Sequence, residues 1–456
     1  MGTYLIRNGG SRALLLSAVV LALQPAFVRA QSPDGLAAVA ALEQSLVQAI
    51  EKAEQSVVSI ARYRPADSRL HFGRFDVHEE GPDNPNFVPN EFGAGVIIEI
   101  EPGRDRSTRR IYILTNYHVV RNRTNIVPDP FQLHVRMYDR RGSSAQILAA
   151  DPRSDLAILM AAIELRPGES EPRPMRLGDA SRPFKKGQIV VALGNPYAIA
   201  RDGSASASWG IISNISRRPE QPPQSEMGSV VREETLHHLG TLLQVDTRLN
   251  LGTSGGPIIN LQGEMIGIST SLAALAGYEK SVGYAIPIDE STLRVIKTLR
   301  EGKEVEYGFL GVSFSSDFNR PHDFSRSTPT PGVKISQVIR RGPAELAGIR
   351  PDDVVLKVNG KPVYSRVDLT REIGKIAPGE RVRLDLARSD NPVVNVELGK
   401  WPVVDDEGII APHRRFEPWR GLVVDFSTAR HRYWQMGATE IEYPKGVLVT
   451  EVFPQS

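Results

Sequence analysis

With 456 residues, the chain is longer than one ordinary hydrophobic core serves, and two or three domains are expected. Its 41% hydrophobic and 24% charged residues form a globular mixture, which excludes wholesale disorder. The 55 basic and 53 acidic residues leave a net charge of +2, so no nucleic-acid partner is expected. There is no cysteine, which excludes disulfides, thiolate nucleophiles and cysteine-rich zinc sites.

Arg7 and Arg12 precede an apolar run from Ala13 to Leu23, followed by Pro25 and the small-residue ending Val28-Arg29-Ala30. The pattern predicts an export signal over residues 1–30, cut after Ala30. A retained anchor is the alternative, but the run is short against the ~20 apolar residues that span a bilayer core. Either way, the rest of the chain is placed outside the cytoplasmic membrane, in the periplasm or an equivalent compartment.

Between Leu36 and Ala53, apolar residues recur at helical spacing, and Asp34 stands where it could cap the start. A strand-like stretch, Ser56 to Ile60, leads into a polar loop rich in Pro, Asp and Asn, so 31–91 reads as an N-terminal helix and loop. From 92 to 300 short apolar strands alternate with glycine and proline: Gly95 to Ile100, Ile111 to Thr115, Gln188 to Leu193 and Met265 to Ser269. This texture predicts an all-β barrel or sandwich, and a helix over Glu290 to Arg300 follows it, with Gly302 as its stop. A mixed module is expected over 305–401, with strands at Val333 to Ile339 and Asp353 to Val358 and a helix around Ser365 to Ile376. Residues 402–418 read as a charged, proline-broken linker, and 419–456 as a further strand-bearing segment.

The stretch Asn250-Leu-Gly-Thr-Ser-Gly-Gly-Pro257 carries the first chemistry. A serine between glycines on a tight turn exposes its hydroxyl and gathers backbone N–H groups, the pairing that amide acylation requires. On this reading Ser254 is the nucleophile and the N–H groups of Gly252 and Ser254 are the oxyanion donors. Taken alone, the turn is equally an ordinary β-turn. A nucleophilic serine also needs a base and the base an orienting carboxylate. His118 follows an apolar strand, and Asp155 heads another, Leu156 to Met160. The chain order His, Asp, Ser is that of chymotrypsin-type double barrels and not of subtilisin or α/β-hydrolases.

Five motifs stand in order: Leu114-Thr-Asn-Tyr-His-Val-Val120, Ser154-Asp-Leu-Ala157, Gly194-Asn-Pro196, Gly252-Thr-Ser-Gly-Gly-Pro257 and Tyr284-Ala-Ile-Pro287. Together they make the chain resemble the HtrA (Deg) family of serine proteases over roughly Ser56 to Trp401. The resemblance implies a mainly β fold: a chymotrypsin-like double β-barrel protease domain, then an α+β PDZ domain, then a partial second PDZ-like segment. It implies that His118 is the general base and acid, Asp155 its orienter and Ser254 the acyl-forming nucleophile, with no metal or organic cofactor. The substrates it implies are unfolded or misfolded polypeptides, and the assembly a homotrimer or a higher oligomer.

The chain departs from the family's usual pattern at Arg248-Leu-Asn-Leu-Gly-Thr-Ser254, where Leu251 replaces a proline and Thr253 an asparagine. Arg248 lies six positions before Ser254, at the base of the specificity pocket in trypsin-like enzymes. A cation there would disfavour basic side chains and admit acidic or polar ones; the alternative is that it faces solvent or pairs with Asp246. Phe309, Leu310, Gly311 and Val312 resemble the loop with which PDZ domains receive a peptide's C-terminal carboxylate, with Leu310 expected to line the pocket. The alternative is that this loop only packs its module against the barrel. The segment 419–456 resembles a truncated second PDZ opening, expected to be poorly ordered or docked elsewhere. A non-proteolytic peptide-binding or chaperone protein on the same fold is the rival to an endopeptidase, and a protease dedicated to one membrane substrate is a third reading.

Overall fold

The computed structural model describes residues 33–64, 89, 91–121, 131–195, 203–217, 235–270, 283–314, 332–388, 393–403, 408–430 and 442–453. The expected signal over 1–30 and most of the expected loop up to residue 91 lie outside these residues.

Helix α1 spans Pro33–Glu54, and its early residues Leu36 and Val39 are exposed. No helix among the described residues is long and apolar enough to cross a membrane. Twelve strands follow and close into two barrels. The first takes β1 (Val57–Tyr63), β2 (Glu91–Pro102), β3 (Thr108–Asn116), β4 (Gln132–Met137), β5 (Gly142–Asp151) and β6 (Leu156–Glu164), in the order β1-β2-β3-β6-β5-β4. The barrel therefore draws its first strand from upstream of residue 92. Without β1, β2 and β4 would present open edges; β1 pairs with both and removes them.

The second barrel takes β7 (Ile189–Gly194), β8 (Ser206–Arg217), β9 (Leu242–Val245), β10 (Pro257–Ile259), β11 (Met265–Thr270) and β12 (Gly283–Pro287). Their order is β10-β11-β12-β9-β8-β7. β-branched and leucine side chains fill the interiors: Ile60, Ile111, Ile113 and Leu159 in the first, Val190, Ile212, Leu243 and Ile258 in the second. Each such side chain contributes about 1.5–3 kcal/mol when removed from water, against at most ~1 kcal/mol for an exposed ion pair, so the interiors dominate stability.

Register decides where the site forms. β3 and β6 are antiparallel with Thr115 opposite Ala157 and Asn116 opposite Leu156. The residues that leave β3 and those that enter β6 therefore meet at one rim of the first barrel. The one-turn helix α2 (Tyr117–Val120) starts there.

Helix α3 (Glu290–Arg300) closes the double barrel. Asp289 caps it by accepting from the Thr292 N–H, and Gly302, at φ +70°, ends it. A smaller mixed module follows, with β13 (Gly308–Phe309), β14 (Val312–Phe314), β15 (Val333–Val338), α4 (Pro343–Leu346), β16 (Val354–Val358), β17 (Lys361–Pro362), α5 (Arg366–Gly374), β18 (Arg381–Leu386), β19 (Val393–Glu397) and β20 (Gly399–Lys400). Its main sheet runs β14-β15-β16-β18-β19, which leaves β14 as an edge strand, and β13 pairs with β20.

The last segment forms a hairpin, β21 (Leu422–Phe426) with β22 (Val447–Val452), and it docks on the mixed module. The Tyr443 N–H donates to the Arg340 carbonyl at 3.0 Å, and the buried Lys400 Nζ reaches Asp425 at 2.8 Å. A hairpin that cannot enclose a core of its own gains one by burying Tyr443 against its neighbour.

Candidate active site

Asp155 sits at the head of β6 with φ +53°, a left-handed conformation that aspartate tolerates better than most residues. Its carbonyl accepts from the Tyr117 N–H at 3.0 Å and from Asn116 Nδ2 at 3.1 Å. The carboxylate is buried. Oδ1 accepts from the His118 N–H at 3.1 Å, and both oxygens lie 2.9 Å from His118 Nδ1. Oδ2 also accepts from Thr270 Oγ1 at 3.2 Å, a donor that ends β11 in the other barrel. An Asp–imidazole contact of this kind holds the ring with Nδ1 protonated and Nε2 available as a base. His118 Nε2 is buried and has no hydrogen-bond partner among the described residues.

Ser254 lies on the loop that precedes β10 and is almost wholly buried. Its carbonyl accepts from the Ala94 N–H at 2.8 Å, which ties the loop of the second barrel to β2 of the first. Gly252 and Gly255 have φ of +95° and +86°, which favours glycine at both positions. The intervening Thr253 turns inward: its N–H and its Oγ1 both donate to the Asn250 carbonyl, at 3.1 and 2.7 Å. The Thr253 carbonyl in turn accepts from Gly256 N–H at 2.9 Å and from Ser269 Oγ at 2.5 Å. Gly93 is the meeting point. A Cβ there would lie 2.5 Å from a Val119 methyl and 3.2 Å from the Ser254 carbonyl oxygen. The neighbour of His118 and the backbone of Ser254 thus converge on one glycine.

Comparison with known proteins agrees with this geometry. A trypsin-like peptidase domain matches residues 93–268 and a PDZ domain matches residues 308–398. A probable periplasmic serine endoprotease, DegP-like, from Halomonas elongata is 30% identical over 402 residues, which cover 85% of this chain and 75% of that protein. The chain belongs to the HtrA (DegP-like) family. The periplasmic pH-dependent serine endoprotease DegQ of Escherichia coli is 28% identical over 392 residues, covering 84% of this chain and 75% of that one. In fold, the chain is similar to the HtrA-type protease AlgW solved with a tripeptide, with TM-score 0.51 and 23% identity over 78% of this chain and 97% of that chain. This HtrA-family chain is a serine endopeptidase that works outside the cytoplasmic membrane.

Other residues singled out in the sequence fall less simply. Arg248 is exposed, its N–H held by Ser208 Oγ at 3.0 Å. Asp246 is committed elsewhere, its Oδ1 accepting from the Ile211 N–H at 2.6 Å. The neighbouring Leu249 turns inward against Gly283 and the second core. In the PDZ domain, Leu310 is buried and belongs to the module's core. Phe309 is covered edge-on by Trp401 and Tyr443, with ring centroids 6.1 and 6.2 Å away. The carbonyls of Leu310 and Gly311 accept from Ala344 and Ile339 N–H groups, at 2.9 and 3.0 Å. Among the described residues, the Leu310 and Gly311 N–H groups donate to no backbone carbonyl.

Sequence reasoning missed Gly93, Thr115, Asn116, Thr270 and His237. Asn116 lay within the quoted histidine motif and could have been weighed there. Thr115, whose Oγ1 donates to the Ala94 carbonyl at 2.7 Å, lay beside it. Thr270 and His237 carried no local signal, because their partners are far away in the chain.

Proposed function

We propose that this endopeptidase cuts its substrates with Ser254 as nucleophile, His118 as general base and then acid, and Asp155 as the orienting carboxylate. The observation that carries this reading is the half-buried His118 ring, clasped at Nδ1 by Asp155 and, among the described residues, left without a partner at its buried Nε2. His118 takes the Ser254 hydroxyl proton as Oγ attacks the scissile carbonyl, and gives it to the leaving amine as the acyl-enzyme forms. Water activated by the same imidazole then releases the acid product. Gly252 and Ser254 N–H groups stabilise the oxyanion, a role supported by the inward turn of Thr253 between them.

The substrates are unfolded polypeptides, and the PDZ domain adds extended C-terminal peptides to the β14 edge, with the Leu310 and Gly311 N–H groups meeting the terminal carboxylate. The working assembly is a homotrimer or larger, and the exposed Leu36 and Val39 of α1 are surfaces suited to assembly.

Degradation of unfolded casein by the native chain and by Ser254→Ala tests the reading, with native mass spectrometry to weigh both assemblies. The variant is expected to lose at least ~10³-fold in rate. Equal degradation by both proteins would overturn the assignment of the nucleophile.

A further inference from the structure

The turn that presents Asp155 is braced from below by a short 3-10 helix, Leu236–Leu239, that belongs to the second barrel. Two hydrogen bonds make the brace. The Leu236 N–H donates to the Arg153 carbonyl at 2.8 Å, and His237 Nε2 lies 2.9 Å from the Ser154 carbonyl. With the Asp155 carbonyl taken by Tyr117 and Asn116, three successive carbonyls are occupied by donors from elsewhere in the chain.

His237 is 3% exposed, and both ring nitrogens are engaged. Burial, the largest influence on it, lowers its pKa from the ordinary value against the attraction of Asp155, so the ring is neutral and carries one N–H. A carbonyl can only accept, so that hydrogen is on Nε2, and Nδ1 accepts from Thr241 Oγ1 at 2.8 Å. The Ser154 carbonyl thereby fixes the tautomer of His237, as Asp155 fixes that of His118, and the Thr241 hydroxyl completes the ring's bonding at Nδ1. Ser154 is itself buried, so its carbonyl has no ready replacement donor in solvent.

We propose that His237 is a positioning residue for the catalytic carboxylate: through Ser154 it holds the Arg153–Asp155 turn in the conformation that aims Asp155 at His118. The proposal rests on the triad reading above. The far end of the same 3-10 helix is tied to the PDZ domain, where Arg371 Nη1 of α5 donates to the Leu239 carbonyl at 3.0 Å. A cleft of about 430 Å³ runs between them, bordered by His237, Tyr307 and Arg371.

The test uses the full chain with three variants: His237→Leu removes the donor, His237→Gln replaces it with an amide N–H, and Thr241→Val removes the hydroxyl that holds the ring at Nδ1. Hydrolysis of a quenched-fluorescence peptide and the rate of Ser254 labelling by a fluorophosphonate are read on samples of matched oligomeric state. His237→Leu is expected to lower kcat and the labelling rate about 10- to 100-fold, with KM within about twofold. His237→Gln should recover most of that loss, and Thr241→Val should fall between. Unchanged kcat and labelling in a folded His237→Leu protein would overturn the proposal, as would equal losses in the Leu and Gln variants. If His237→Leu does not fold, the Gln and Thr241→Val pair decides, with wild-type kcat in Thr241→Val counting against it. Ser254→Ala, run alongside, separates the two readings: residual wild-type activity there would instead remove the triad itself.

Discussion

The turn that presents Asp155 is held by hydrogen-bond donors arriving from four other segments, whereas the loop that presents Ser254 takes donors from two, at Ala94 and Ser269, and adds the close approach of bare backbone at its glycines. Tyr117 and Asn116, Leu236 and His237, Thr270, and Tyr307 through Asp151 all converge on residues 151–155. Around Ser254 the contacts are tight because glycines allow them: Gly93 against Val119 and the Ser254 carbonyl, and Gly255 against the Ala94 carbonyl. Polar bracing fixes direction, which an orienting carboxylate needs. Steric fit fixes distance, which a nucleophile and its oxyanion donors need. The two halves should therefore fail differently when altered.

The largest effect is expected where the halves touch. Gly93→Ala places a Cβ 2.5 and 2.8 Å from the two Val119 methyls, closer than real side chains come. Val119 is buried and branched, so it yields by moving α2 and His118 with it. We expect kcat to fall about 100-fold, with a stability loss of only about 1–3 kcal/mol from overpacking. Adding Val119→Ala should return part of the activity. Steady-state kinetics and denaturant melts of both proteins check this, and a loss of activity that tracks loss of folding would remove the steric argument.

A smaller effect is expected on the Asp155 side. Thr270→Val deletes one donor to a carboxylate that keeps its contacts to the His118 ring and backbone. A hydrogen bond to a charged group contributes about 1.5–3 kcal/mol, and the remaining bonds take up part of the loss. About a tenfold fall in kcat, with KM unchanged, is the expected result. Should Thr270→Val match Gly93→Ala in severity, the contrast between polar bracing and steric fit would not hold.

The readable parts of the site were the local ones. His118, Asp155 and Ser254 stand at strand ends inside short motifs, where alternation and glycine spacing mark the turn. The barrels were legible as a class from their short strands, but β1 was separated from them by a long polar stretch and read as part of the N-terminal region. The brace was not legible, because His237 acts on Ser154 and Thr270 on Asp155 across large sequence separations. Neither histidine of Leu236-His-His-Leu239 gives any sign in the sequence of its acceptor. The place of Leu310 in the PDZ core was also not legible from its loop, since that core gathers apolar side chains from all along the module. Likewise the last segment looked incomplete by itself, and only the docked structure reveals that Tyr443 finds its burial against Phe309.

Arg248, at the outer end of the Ser254 loop, should matter least. Its side chain is exposed, and among the described residues no carboxylate pairs with it. A cation in water attracts an opposite charge at 4 Å by about 1 kcal/mol, and salt screens that further. A peptide with aspartate at the cleaved residue should therefore gain at most about fivefold in kcat/KM over its asparagine counterpart, an advantage that Arg248→Ala removes. Raising the salt from ~50 to ~300 mM should shrink the same ratio in the native chain, because the charge is reached through solvent. Kinetics on the peptide pair at both salt concentrations check this. A ratio above tenfold that ignores salt would place Arg248 inside a closed, low-dielectric pocket when substrate is bound, and would mean that the loop around Ser254 rearranges on binding while the braced turn does not.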